Sequence, residues 1–397
     1  MKTLTSDLSF QALNRRDFIS VLGKTSAAVV AWGAWNTANA RADGPPSVTP
    51  AYLKDYAGLY RSDPRRAALQ WFREARFGLF VHYGLFSLEG RDCWLQYREK
   101  IPVSTYAKLK ERFTAAKFDA DFITDLACAA QMRYVNLVTR HHDSFCLFAT
   151  NQTDFSSVHS PAKRDLVAEL AAACQKKGLG LCLYYSHGRD WRHPHAPNND
   201  EWGGGARPNY NPPEPSYATG QDHDLGKYLD FMRAQLTELL TNYGPIAAIW
   251  LDGISVPLSH KDRLHEWHLP ELFAHIRSLQ PQVLVSYKQG LVGTEDFLAP
   301  ERRFNKKSDR PLELCDTLQP DGWGYMKADE GKHKIPDQVL AMLAKARRLP
   351  ANLLLNTGPL PDGSIHTEDV QTLREVGRRI REQGWPAPTS AGKADHR

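Results

Sequence analysis

Cysteine is sparse: six residues in 397, at positions 93, 128, 146, 174, 182 and 315, with no CxxC pair. Neither a disulfide-built scaffold nor a cysteine metal cluster follows from that spacing. An excess of one charge is also missing, since 50 Lys and Arg face 45 Asp and Glu for a formal net charge of +5. Four basic and two acidic residues fall in the first 40 positions, which leaves +3 for the remainder. A balance so small gives no basis for a nucleic-acid or membrane-surface partner. No repeat period or long low-complexity tract is present, and no GxGxxG turn follows the first apolar run, which removes the usual signature of a dinucleotide fold. What is present, 42% hydrophobic and 24% charged residues, is the composition of an ordinary globular chain able to bury one large core.

The N-terminus reads as an address. Asn14-Arg15-Arg16-Asp17-Phe18-Ile19 is a twin-arginine core, followed by a moderately apolar stretch from Val21 to Trp35 and by Ala38-Asn39-Ala40, an AxA-type cleavage site. Lys24 interrupts the stretch, which is too short and polar for a comfortable membrane span. Residues 1–40 are thus expected to be a Tat-type export signal, 41–70 an N-terminal extension and 386–397 a flexible tail. The mature protein is expected to be periplasmic or secreted, without membrane association.

Between positions 71 and 385 short apolar runs alternate with amphipathic patterns. Strands are expected at Phe77–Tyr83, Tyr134–Thr139, Leu179–Ser186, Ile246–Leu251, Val283–Tyr287 and Leu353–Asn356, with a weaker one near Leu312–Leu318. Helices are expected near Asp119–Met132, Arg164–Lys177, Leu225–Tyr243, Leu269–Leu279, Ile335–Arg348 and Thr367–Arg381. Repeated strand then helix means parallel βα units, and their number suits an α/β fold of the (β/α)8, TIM-like barrel type. The Pro- and Gly-rich stretch from His193 to Gly220 interrupts this rhythm and reads as a loop over the active face.

Polar residues stand at the ends of these runs, at the edge where such barrels carry their chemistry. His82 ends the first, His141 and His142 the second, Tyr184 and Tyr185 the third, Asp252 the fourth and Lys288 the fifth. Asp252 closes GPIAAIWLDG, two residues after Trp250 and therefore on the same face. It reads either as a helix N-cap or as a catalytic carboxylate. Five polar exits in register favour a polar pocket, and its aromatic content (Trp94, Trp191, Trp250, Trp323) suits the apolar faces of a sugar. A metal-dependent hydrolase using His82, His141, His142 and Asp252 is the alternative. Against it, the first strand has no HxH pair, and adjacent histidines on a strand point to opposite faces unless the strand ends between them.

The segments WFREARFGLFVHYG (Trp71–Gly84), HHDSFCLF (His141–Phe148), TDFSSVHSPAKRDLV (Thr153–Val167), GLCLYYSHGRDW (Gly180–Trp191), AIWLDG (Ala248–Gly253), EDFLAPER (Glu295–Arg302), WGY (Trp323–Tyr325) and NLLLNTGPLPDGSI (Asn352–Ile365) together resemble the α-L-fucosidases of glycoside hydrolase family 29, in that family's order. The resemblance implies a retaining, metal-free and cofactor-free hydrolysis of terminal α-L-fucosides on a fucosylated oligosaccharide or glycoconjugate. It implies Asp252 as nucleophile and Glu301 as acid/base, with Glu295 and Glu313 as fallbacks. His82, Trp94, His141, His142, Tyr184 and Trp250 match residues that hold the fucose. The chain departs from the family at Cys93, where a glutamate is usual, at Ser144, usually glycine, and at Lys288, where many members carry arginine. The change at Cys93 keeps a second expectation open, a barrel that binds sugar with poor turnover. The chain also ends soon after its final helix, so no C-terminal β-sandwich is expected.

Overall fold

The structure is a computed structural model that describes residues 48–203, 205–302 and 308–388. The twin-arginine segment and residues 389–397 of the tail lie outside the described residues. Seven parallel strands form one curled sheet: β1 (Phe77–Val81), β2 (Tyr134–Arg140), β3 (Gly180–Ser186), β4 (Ala248–Asp252), β5 (Leu284–Tyr287), β6 (Leu312–Thr317) and β7 (Ala351–Thr357), in the order β5-β4-β3-β2-β1-β7-β6. Every run read as a strand is one, the weak seventh included. The principal helices are α1 (Pro64–Ala75), α2 (Ala120–Ala129), α3 (Leu166–Lys177), α4 (Leu225–Asn242), α5 (Leu269–Leu279), α6 (Pro336–Arg348) and α7 (Thr367–Gln383). The first four start on an aspartate, Asp63, Asp119, Asp165 and Asp224, whose side chain accepts a first-turn N–H. Each such cap is worth about 1 kcal/mol.

The two edge strands are not left open. Between β5 and β6 runs the segment Asp296–Arg302, where the Asp296 N–H donates to Val285 and the Ala299 N–H to Lys288, while the Leu298 N–H donates to Pro311 and the Arg302 N–H to Cys315. Isolated parallel bridges pair Leu298 with Leu312 and Glu301 with Cys315. The chain thus crosses from one edge to the other through an irregular stave instead of an eighth regular strand.

Alternation along the strands separates two cores. Phe80, Tyr134, Val138, Cys182, Tyr184, Ala248, Trp250, Leu284, Phe297, Cys315 and Leu354 face inward and form one cluster, whereas Leu79, Leu137, Leu183, Ile249, Val285, Leu314 and Leu355 pack outward beneath the helices. The segment before the first strand belongs to the inner cluster, since Tyr52, Tyr60, Trp71 and Phe72 are buried in it. Trp71 packs 6.1 Å from Tyr134 and Phe72 4.2 Å from Phe297, ring centre to ring centre. Gly180, at the start of β3, leaves the room that the Trp71 indole fills, as a Cβ there would meet that ring at 2.5 Å. With the N-terminal ends of the strands plugged, the inner face can open only at their C-terminal ends. Among the described residues no helix is long and apolar enough to cross a membrane.

Candidate active site

At the C-terminal end of β4 the carboxylate of Asp252 caps no helix. The short helix after it, Ser255–Leu258, has Ile254 at its N-cap and no side-chain cap. Asp252 Oδ2 instead accepts the Tyr184 hydroxyl at 2.6 Å, and Oδ1 takes Lys288 Nζ at 2.9 Å and the Gly253 N–H at 2.5 Å. Burial would push this carboxyl up, but Lys288 and the Tyr184 hydroxyl outweigh it and hold Asp252 far below the ordinary carboxylate range. The group is therefore ionised. Its main chain is gripped as well, for the N–H groups of His187 and Gly188 both donate to the Asp252 carbonyl, at 3.0 and 2.9 Å. That grip requires the β3 and β4 exits to touch. A Cβ on Gly188 would lie 2.2 Å from the Gly253 carbonyl oxygen, and Gly253 itself has φ +87°, so both positions need glycine.

The adjacent histidines reach one side because β2 ends just before them. Its register with β3 shifts between Val138 and Arg140, and the two rings lie 4.2 Å apart after the strand has finished. Ser186 Oγ donates to the Arg189 carbonyl at 2.7 Å, so it can only accept from His142 Nδ1, 2.5 Å away. His142 Nε2 is then an unprotonated acceptor. The same logic applies to His82. The Asn356 amide donates to Thr317 and to the Trp323 carbonyl, which turns its oxygen toward His82 Nδ1 at 2.6 Å and leaves Nε2 as acceptor. Burial pushes His82 down to about 4, against the opposing pull of the Asn356 hydrogen bond, and drives His141 and His142 well below the usual histidine value. Three neutral imidazoles, with Tyr184 stacked on His141 at 5.5 Å and 5°, make a wall suited to hydroxyls.

His82 gives a pH prediction. Its unfolded pKa is about 6.5 and its folded value about 4, so the unfolded chain binds the extra proton within that window and stability rises with pH across it. Acidification from 6.5 to 4 should cost roughly 3 kcal/mol through this residue, complete once pH is below 4. Urea unfolding of the wild type and of His82→Gln should therefore converge as pH falls through that window; parallel curves would assign the acid sensitivity to other groups.

Glu301, on the irregular stave, accepts Lys288 Nζ at 3.1 Å on Oε2 and the Trp323 indole N–H at 3.1 Å on Oε1. Lys288 therefore stands between two carboxylates. Burial would lower it, but Asp252 and Glu301 hold it above its ordinary value. It also has φ 42°, an uncommon left-handed backbone for a lysine. The two fallback carboxylates are engaged elsewhere. Glu295 accepts the N–H groups of Leu291, Val292 and Gly293 and pairs with Arg310 at 3.1 Å. Glu313 lies on the inner face below the site, accepting Tyr134 OH at 2.7 Å and Trp250 Nε1 at 2.9 Å, and burial pushes it up to about 7. It anchors the indole that stacks 5.5 Å from Tyr184.

Nine residues singled out from the sequence, His82, Trp94, His141, His142, Tyr184, Trp250, Asp252, Lys288 and Glu301, line one cavity of about 350 Å³, as does Trp323, whereas Tyr185 and Trp191, also read toward the pocket, are fully buried and do not line it. Sequence reasoning missed Asp92, Arg98 and Arg189, which line it too. Asp92 has φ 77°, accepts the N–H groups of Trp323 and Gly324 at 3.0 and 3.2 Å, and pairs with Arg98 at 3.1 Å. Cys93 is buried and contributes nothing to the cavity lining, so the acid on this loop stands one position earlier. The signal was its place two residues before Trp94. Ser144 has φ 72°, a conformation natural to glycine, and donates to Asp190 at 2.7 Å. The loop from His193 to Gly220 packs beside Trp191 through the Tyr217 hydroxyl, 2.6 Å from its carbonyl, but supplies no lining residue among those described.

Comparison with known proteins agrees with this geometry. A family model described as alpha-L-fucosidase matches residues 49–384. The plasma α-L-fucosidase of Rattus norvegicus is 26% identical over 356 residues, covering 83% of this chain and 72% of the relative. Among solved structures, α-L-fucosidase isoenzyme 1 from Paenibacillus thiaminolyticus superposes with a TM-score of 0.73 at 33% identity, covering 83% of this chain and 80% of that one. The α-L-fucosidase AlfC from Lactobacillus casei, in complex with its α-L-fucose product, gives 0.70 at 26% identity over 79% of this chain and 98% of its own. An AlfC variant, at 27% identity, TM-score 0.70 and the same coverage of both chains, holds Fuca(1,6)GlcNAc. With sequence, fold and pocket in agreement, the chain belongs to the α-L-fucosidase family, glycoside hydrolase family 29, and is a glycoside hydrolase.

Proposed function

We propose that this protein is an exo-acting α-L-fucosidase that removes terminal fucose from an oligosaccharide or glycoconjugate by double displacement, with Asp252 as nucleophile and Glu301 as acid/base, on a (β/α)8-like barrel whose eighth stave is Asp296–Arg302. The observation that carries the reading is Lys288 Nζ, held 2.9 Å from Asp252 and 3.1 Å from Glu301. Those two contacts keep the facing carboxylate oxygens within about 6 Å of each other. Retaining pairs stand about 5–5.5 Å apart, whereas inverting pairs need about 6.5–9.5 Å to admit a water.

In the first step an Asp252 oxygen bonds to the anomeric carbon, the bond to the aglycone oxygen breaks, and Glu301 gives that oxygen its proton. In the second, Glu301 takes a proton from water as the water oxygen displaces Asp252. His82 and His142, presenting Nε2 as acceptors, accept hydrogen bonds from sugar hydroxyls, and Trp250 and Trp94 offer apolar faces. Lys288 keeps Asp252 ionised, but its contact with Glu301 has to give way for proton transfer. That contact favours the second reading, a barrel that binds fucose with little turnover. We propose, too, that the twin-arginine segment exports the protein to the periplasm or beyond.

The test is NMR of the first sugar released from an aryl α-L-fucoside. The α-anomer is expected first, and Glu301→Ala should lose about 10²–10⁴-fold in rate on a substrate with a poor leaving group; on an activated aryl α-L-fucoside azide should restore its turnover by displacing Asp252 from the covalent intermediate, giving the retained α-fucosyl azide. An initial β-anomer, or Glu301→Ala at wild-type rate, would sink the assignment.

A further inference from the structure

Outside the cavity, a second set of ligating side chains gathers where the loop after β6 meets the start of α7. One ring nitrogen each of His333 and His366 and a carboxylate oxygen of Glu368 lie within 4.8 Å of one another. None of the three lines the cavity that holds Asp252. His333 is the best-prepared member. Its side chain is 1% exposed, its Nδ1 is held 2.6 Å from Asp369, and Asp369 in turn accepts the Thr357 hydroxyl at 2.6 Å from the end of β7. A carboxylate on one imidazole nitrogen fixes the ring and readies the other for a metal. That other nitrogen, Nε2, is buried and has no hydrogen-bond partner. A buried polar atom left so is costly and calls for an explanation.

We infer that His333, His366 and Glu368 form a binding site for a borderline transition-metal ion of the Zn²⁺ class, structural in role and separate from the reacting pocket. Two imidazoles and a carboxylate are the donor set such ions take. Bonds of about 2.0–2.2 Å in a tetrahedron place neighbouring ligands roughly 3.4 Å apart, so movements of about an ångström close the set. His366 and Glu368, with side chains 13% and 31% exposed, leave a path for the ion and room for a water as fourth ligand. The loop the ion would fasten is the one that carries Trp323, whose indole holds Glu301. The clasp therefore ties that wall of the pocket to the first turn of α7.

Titration calorimetry of the chelator-treated full chain with ZnCl₂ is expected to give one saturable site per chain and a higher unfolding midpoint, with MgCl₂ giving neither. His366→Asn keeps a side-chain acceptor for the helix start, and Glu368→Gln keeps the shape of the carboxylate. Each should weaken Zn²⁺ roughly tenfold or more while the zinc-free midpoint stays near that of the wild type. Absence of a saturable 1:1 site in the wild type overturns the inference, and so does Zn²⁺ binding that both variants retain at wild-type strength.

Discussion

Replacing Asp252 with glycine is expected to lower kcat on an aryl α-L-fucoside by roughly 10⁴-fold, about 5.4 kcal/mol of lost transition-state stabilisation. The fold should survive, because the space left is small and the backbone grip from His187 and Gly188 does not depend on the side chain. Lys288 then loses one of its two carboxylates and keeps Glu301. A small anion such as azide can fill the vacated position beside that cation. It would attack the anomeric carbon from the nucleophile's side, and with only one displacement left the product would be the inverted fucosyl azide. Rate and anomeric configuration, followed together with and without azide, check both halves of the expectation. Substantial unrescued turnover in Asp252→Gly would mean that another group is the nucleophile.

The largest stability effect is expected from Asp190. Arg140, at the end of β2, is wholly buried and pairs with Asp190, which also takes the Ser144 hydroxyl and the N–H groups of Arg192 and His193. The guanidinium packs 4.4 Å from the centre of the Tyr185 ring and donates to the Ser186 carbonyl. Asp190→Ala leaves a charge in the core without its counter-ion, a change that costs about 3–5 kcal/mol. Its urea midpoint should drop accordingly. Arg140→Met combined with Asp190→Ala removes the stranded charge and should recover a large part of the loss. A double variant no more stable than Asp190→Ala would show that the damage lies in the loop contacts of Asp190 and not in the orphaned arginine. Activity should fall in the single variant as well, because Ser186 orients His142.

Much of this arrangement was legible because apolar runs write buried parallel strands plainly, and because the residue ending each run has one place to go. His82, Tyr184, Asp252 and Lys288 follow from that rule. The paired histidines were legible only as a condition, that β2 end in time, which the register shift after Val138 meets. What escaped lay off the strands. Asp296–Arg302 has no ladder of its own and a proline in its middle, so its alternation of Phe297, Ala299 and Glu301 toward the inner face was hidden. Among Glu295, Glu301 and Glu313 the resemblance singled out Glu301, and what packing adds is only the partners: Glu295 is taken up by backbone N–H groups, Glu313 by Tyr134 and Trp250, and Glu301 by Lys288 and Trp323. Asp92 sits in a loop where left-handed backbone, invisible to periodicity, turns it to the cavity.

The irregular stave also bears on how such a site can diversify. Asp252 is carried on a strand paired on both sides along its length, so an insertion or deletion near it would shift the whole register and flip its neighbours. Glu301 rides on a segment tied to β5 and β6 by scattered bonds and single bridges. Residues can be gained or lost there while the sheet on either side keeps its alignment. One half of the proposed catalytic pair is thus conservative by construction and the other tolerant, and selection for new leaving groups has its freest hand on the Glu301 side of the pocket.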